Sequence, residues 1–402
     1  MSKSRKLYTY ALPIIIILNG YASGIAGLSI GAIVMNFFNL YALMSFVVNN
    51  RKADRFFVRT VGLLFIFILL SLFAYLFYGI SNTSAIFINV LKIITWFMGV
   101  IFTSSMLFDY SVFNPYYKKF SVICTCYLFL QMISWNSVHI YLPNLFDVGP
   151  LHPFYEQYSS SAYVNYLSSI GFGRFSSFYA EPAYYGIMMV IALIIILFED
   201  DMNEELSRKS QLISVLLILG IWLSTSTAAI AFAIFIIAIY FFKTDMKNKS
   251  MLLIMLLSIA VLAAMFITNN TLGNFFLGKM TSIGSSGRVG QSYKELNNLS
   301  SLQKLFGVGL GNIGIVTNSS YVNEFTGLIM EYGIIGFIVF LWYMIKLYLK
   351  ERSIALHILI IIYMAAMAQG GYLFNLFGIL IFTVALNIGT INNENNSEMQ
   401  VN

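Results

Sequence analysis

The chain has 402 residues, 59% of them hydrophobic and only 10% charged, with a mean hydropathy of +0.79. A soluble domain carries about 25% charged and 45–50% apolar residues, so this composition excludes an ordinary water-soluble protein and reads as one membrane domain over 1–402. The formal net charge of +6 does not signal nucleic acid, because Lys and Arg sit mainly in short connections between apolar runs. The start, MSKSRKLYTYALPIIIIL, has the basic head and apolar core of a signal peptide. Many apolar runs follow, so it reads as an uncleaved first helix. Those runs repeatedly approach the roughly 20 residues needed to cross a bilayer. About twelve spans are predicted, near 8–24, 27–48, 60–79, 85–108, 119–139, 182–198, 210–224, 227–242, 250–268, 322–347, 353–370 and 372–390. The short pair over 210–242 is joined by Ser224, Thr225, Ser226 and Thr227, which read as a tight turn between two helices or a break in one tilted helix. Cys124 and Cys126 lie two apart in an apolar run. On a helix they point in different directions and should stay free thiols.

Basic residues set orientation. With both termini on the cytoplasmic side, 17 of the 23 Lys and Arg fall inside. The six others are Lys92, Arg174, Lys279, Arg288, Lys294 and Lys304, and five of these gather in two long outer loops, about 140–181 and 269–320. Loops longer than about 15 residues tend to be functional or disordered. These two are rich in Tyr, Phe and Gly and lack the charge of a disordered linker. They should fold back on the outer membrane face, and YEQYSSSAYVNYLSSI is amphipathic enough to lie in the interface.

The first loop ends GFGRFSSFYAEPAYYG. Pro182 suits the first position of a helix, which puts Glu181 at a helix start, seven residues after Arg174. Backbone donors with a guanidinium nearby make an anion site, and the Arg fork fits phosphate oxygens. The alternative is an Arg174–Glu181 ion pair that pins the loop. In the second loop Arg288 lies among Gly284, Ser285, Ser286, Gly287 and Gly290, a stretch able to wrap an anion but without Walker spacing. Gly307, Gly309 and Gly311 follow no strand, so they are no dinucleotide fingerprint and serve as sharp turns. Glu324 and Glu331 lie seven apart on one helix face, the latter about 10 Å below the helix start at 1.5 Å per residue. A carboxylate at that depth marks a functional site or a structural hydrogen bond to a neighbour. Lys92 is read as snorkelling from the outer end of its span. His139, His152 and His357 are scattered, so no metal site is expected.

The run RFSSFYAEPAYYG, then SSGR, LFGVGLGNIG and NSSYVNEFTGLIMEYGIIG resembles the O-antigen and capsule polymerase (Wzy) family and the related O-antigen ligases. The resemblance covers roughly 170–340. It implies a bacterial inner-membrane glycosyltransferase with an all-α, polytopic fold of the GT-C kind. Such an enzyme moves a growing glycan from undecaprenyl pyrophosphate onto the next lipid-linked repeat unit at the outer face, and needs neither cofactor nor metal. Partners so implied are that lipid-linked oligosaccharide, membrane lipid and a chain-length regulator protein, with no nucleic acid. The family's loop arginines match Arg174 and Arg288, as pyrophosphate ligands. Glu181 and Glu324 are candidate bases for the acceptor hydroxyl. Lys279, Tyr179, Asn323 and Glu331 are further candidate substrate contacts.

The chain departs from the family patterns in places. The glycine after Arg174, Gly186, falls one residue beyond the polymerase spacing, and Arg288 reaches a late glycine, Gly307. In the ligase frame Asn323, Gly333 and Gly336 fit, but Val322 occupies the histidine position, and valine is no base. This favours polymerase over ligase. The rival from another class is a lipid-linked oligosaccharide flippase, which needs charge along a central cavity rather than two large outer loops.

Overall fold

The computed structural model describes residues 3–25, 27–49, 55–80, 83–146, 152–154, 157, 159–170, 173–198, 206–243, 256, 260, 288–317, 322–349, 353–368 and 374–399. Most of the predicted span over 250–268 and the part of the second loop over 269–287, with Lys279, lie outside them. Among the described residues the fold is all-helical, with isolated β-bridges but no strand.

The helices run α1 (Lys3–Leu18), α2 (Ile30–Val48), α3 (Arg55–Tyr78), α4 (Thr83–Met106), α5 (Tyr110–Val138), α6 (Ser160–Ile170), α7 (Pro182–Phe198), α8 (Arg208–Leu223), α9 (Thr227–Lys243), α10 (Arg288–Asn297), α11 (Ser301–Phe306), α12 (Glu324–Tyr348), α13 (Ile354–Met367) and α14 (Leu376–Met399). Five of these, α2, α3, α4, α5 and α12, are long and apolar enough to cross a membrane. Shorter apolar helices are α7, α9, α13 and the Leu376–Ile388 part of α14. Polar residues fix the helix starts, because the first N–H groups of a helix have no intrahelical partner. Asp109 accepts from Ser111 N at 3.0 Å, so α5 begins nine residues before the predicted start and carries Lys118 and Lys119 inside it. Ser207 caps α8, and Ser300 with Gln303 makes a capping box on α11. The Ser224–Ser226 stretch is a turn between two helices, with Thr225 at φ 55°.

The chain divides into two compact units, one of residues 1–8, 32–108 and 279–402, the other of 9–31 and 109–278. In the first, Trp96 meets Phe97, Phe374 and Phe382 edge-on at 5.0, 5.6 and 5.1 Å. Phe67 of α3 stacks on Tyr332 of α12 at 4.3 Å. In the second, α7 is buried on almost every face from Tyr185 to Phe198, as expected for a helix apolar all round. A Cβ on Gly186 would stand 2.3 Å from that of Ala229, so this glycine permits α7 and α9 to touch. Cys124 is buried and Cys126 exposed, both free, as their two-residue spacing requires.

Candidate functional site

Each unit holds one polar cluster, built around residues that sequence reasoning singled out. In the unit of 9–31 and 109–278, Arg174 is gripped by α6. Its Nη1 donates to Tyr166 Oη at 2.9 Å, and Tyr163 Oη donates to its carbonyl. The two tyrosines are three residues apart, so one helix face presents both. Burial pushes the Tyr163 phenol up, opposed by the Arg174 charge. Tyr141, tilted against Tyr163 at 5.7 Å, is pushed by burial up to about 12. Tyr163 donates to the Arg174 carbonyl, while the Tyr141 hydroxyl accepts from Asn144 N at 3.3 Å. Tyr166 thus holds the half-buried guanidinium, and Tyr163 the backbone behind it, before any ligand arrives.

The segment after Arg174 is pinned from α5. Gln131, fully buried, accepts from Ser177 N at 3.0 Å and donates to Ser177 O at 3.2 Å and Asn144 Oδ1 at 2.9 Å. Ser177 adopts φ 56°, and its Oγ donates to Cys124 O at 2.7 Å. Gln131 was not picked out in sequence, where it is one polar residue in an apolar run. Tyr179 sits inside this fold, 1% exposed, so its ring belongs to the core beside Tyr185. Glu181 is half-buried at the mouth of α7, and its carbonyl accepts the first N–H bonds of that helix, from Tyr184 and Tyr185.

In the unit of 1–8, 32–108 and 279–402, α12 is broken. Gly333 has φ 70° and ψ 179° inside the helix, and a Cβ there would stand 2.1 Å from Leu305 O. The carbonyls freed at the break are taken by the glycine-rich strap 307–312. Val308 N donates to Met330 O at 2.8 Å and Gly309 N to Glu331 O at 3.0 Å. Gly311 N donates to the Glu331 carboxylate at 3.0 Å. On its other side Leu310 N donates to Ser71 Oγ and Tyr75 Oη donates to Leu310 O at 2.6 Å. Asn312 Nδ2 donates to Gly79 O at 2.9 Å and Val308 O at 3.0 Å. Gly307, Gly309 and Gly311 all have positive φ, 80°, 91° and 76°. The backbone N–H groups from Val308 to Asn312 thus all have partners within the protein. The strap is a brace, not a phosphate cradle, and Glu331 makes the structural bond to a neighbouring loop weighed as its alternative.

Asn323 caps α12 through Thr326 N at 3.0 Å and is 3% exposed, so its side chain serves the helix start. Its own N–H donates to Ser292 Oγ at 3.0 Å. Ser292 lies one turn beyond Arg288, the first residue of α10, so the middle of α10 is tied to the start of α12. Glu324, half-buried, opens α12. Lys92 of α4 lies within electrostatic range of both Glu324 and Glu331, a neighbourhood the sequence does not display because these residues lie over 200 positions apart. Among the described residues no group of three or more His, Cys, Asp or Glu gathers as a metal centre. The chain matches no known family model and no curated protein.

Proposed function

We propose that the protein is a polysaccharide polymerase of the bacterial inner membrane, with about twelve spans, two large outer-face loops and both termini cytoplasmic. It transfers a glycan from undecaprenyl pyrophosphate to the next lipid-linked repeat in O-antigen or capsule synthesis. The observation that carries this reading is the gathering of five basic residues that break the positive-inside pattern into two loops, Arg174 and Arg288 among them. The preset guanidinium of Arg174, held by Tyr166, supports it further. In the reaction the sugar C1–O bond to the pyrophosphate breaks and the acceptor hydroxyl oxygen bonds to C1. The hydroxyl proton passes to a carboxylate, Glu181 or Glu324, and negative charge grows on the leaving pyrophosphate. Fixed cations are effective there because they are oriented before the charge develops. Val322 at the position of the ligase histidine favours polymerase over ligase.

The test is an in vitro reaction of the purified protein with a defined lipid-linked repeat unit. Wild type should give a ladder of polymer. Arg174→Ala and Arg288→Ala, each inserted in the membrane at normal level, should give none and leave single lipid-linked repeats. Full-length polymer from both variants would overturn the assignment.

A further inference from the structure

The short helices α10 and α11 present apolar side chains outward. Tyr293, Leu302 and Leu305 are 60%, 60% and 41% exposed, and Leu302 and Leu305, three apart, share one face of α11. Two spanning-length helices hold α11 in place. The Phe306 ring meets Phe73 of α3 at 4.9 Å, and the Leu305 carbonyl lies against the backbone of Gly333, at the break in α12. Both of those helices are apolar and exposed beside the contact, α3 at Leu76 and Phe77 and α12 at Ile334 and Ile338. Leu302 and Leu305 therefore extend a surface suited to lipid chains. Phe73 lies five residues before the end of α3, about 8 Å in from that end at 1.5 Å per residue. An interfacial helix buries its apolar face to a similar depth, about 5–10 Å.

Charge suits the same placement. Residues 288–306 carry Arg288, Lys294 and Lys304 against a single acid, Glu295. Lys294 is exposed. The Lys304 ammonium donates to Asn297 O at 3.3 Å, at the end of α10, and an ammonium has three donors to offer. A lysine stem can lie along apolar surface while its head reaches the headgroup layer. We propose that α10 and α11 lie in the membrane interface and bind anionic phospholipid, with Leu302 and Leu305 among the acyl chains and Lys294 and Lys304 on headgroup phosphates. A zwitterionic phospholipid offers the same chains and phosphate without net charge, so the lysines select the anionic one. The inference rests on this surface alone and holds whichever reaction the protein catalyses.

The experiment attaches a fluorophore to Leu302→Cys in the full-length protein with Cys124→Ser and Cys126→Ser. The labelled protein is reconstituted in vesicles of equal parts phosphatidylcholine and phosphatidylglycerol, with quenching bromine on the acyl chains of one lipid or the other. Brominated phosphatidylglycerol should quench the more strongly, reporting a local excess of about fivefold over phosphatidylcholine that shrinks as salt is raised. Lys294→Gln combined with Lys304→Gln should bring the two lipids to parity. Lys294→Gln alone, which leaves the Lys304–Asn297 bond intact, should lower the excess by about half or more, and remains informative if the double variant fails to fold. Equal quenching by the two lipids without these lysine substitutions would overturn the proposal, as would an excess that survives both variants. Quenching by aqueous iodide and by neither lipid would also overturn it, placing α11 in water. So would a label shielded from lipid and iodide alike in a particle of doubled protein mass, which would make this face a contact between two copies of the chain.

Discussion

Gln131 and Tyr166 show how differently two polar side chains can matter in an apolar chain. Gln131 satisfies both backbone groups of Ser177, a residue in the left-handed region where a non-glycine needs outside support. Gln131→Leu keeps the volume but strands a buried N–H and C=O. The expected loss is about 2–4 kcal/mol of stability, read as a lower melting temperature in detergent, with activity lost only through unfolding. Tyr166→Phe removes one hydroxyl at a half-buried position. Its stability should change by less than about 1 kcal/mol, while, on the proposed polymerase reading, turnover on a lipid-linked repeat falls about tenfold or more as the guanidinium loses its preset orientation. A Tyr166→Phe enzyme with unchanged turnover would show that the phenol merely packs. Arg174 was legible in the sequence as a charge out of pattern. Its gripping tyrosines were not, since nothing in the sequence sets Tyr163 and Tyr166 apart from the other tyrosines among the chain's 26.

Helix α12 is the element where sequence and structure part company most. The apolar run predicts one continuous helix through EYGIIG, and glycine in a membrane helix is too common to mark a break. What breaks it is tertiary. Non-helical backbone at membrane depth is tolerated only where the protein satisfies its polar groups, and here a strap from 20 to 25 residues upstream does so. The bond from Gly311 N needs an acceptor at position 331, not a charge. Glu331→Gln, with its amide oxygen in the same place, should therefore fold within about 1 kcal/mol of wild type, whereas Glu331→Ala should lose about 1–3 kcal/mol. Equal melting of the two variants would show that the strap is held by its backbone bonds alone. Gly333→Ala tests the break itself. The added methyl meets Leu305 O at 2.1 Å on a backbone at φ 70°, so α11 and α12 must separate. The expected cost is about 2–4 kcal/mol, seen as lowered melting and faster proteolysis in 301–312.

At the scale of the molecule, composition alone reveals the membrane class, and the structure agrees with five helices of spanning length. The number of spans is harder to read from the chain. Helices such as α13, with 14 residues, cover about 21 Å at 1.5 Å per residue, less than the roughly 30 Å of a hydrocarbon core. Apolar content therefore does not separate a full crossing from a packed partial one. Charge supplies the orientation that length cannot. Within the unit of 9–31 and 109–278, α6 precedes the start of α7, while Arg208 and Lys209 open α8 beyond its other end. Lys243 closes α9. If the positive-inside rule holds here, the exposed Asn165 on α6 faces the outside and the exposed Lys209 and Lys243 face the cytoplasm. In a background with Cys124→Ser and Cys126→Ser, Asn165→Cys should react with a membrane-impermeant maleimide in intact spheroplasts. Lys209→Cys and Lys243→Cys should react only after the membrane is opened. The reverse pattern would turn the molecule over. It would place Arg174 on the cytoplasmic side, where a polymerase acting at the outer face has no use for it.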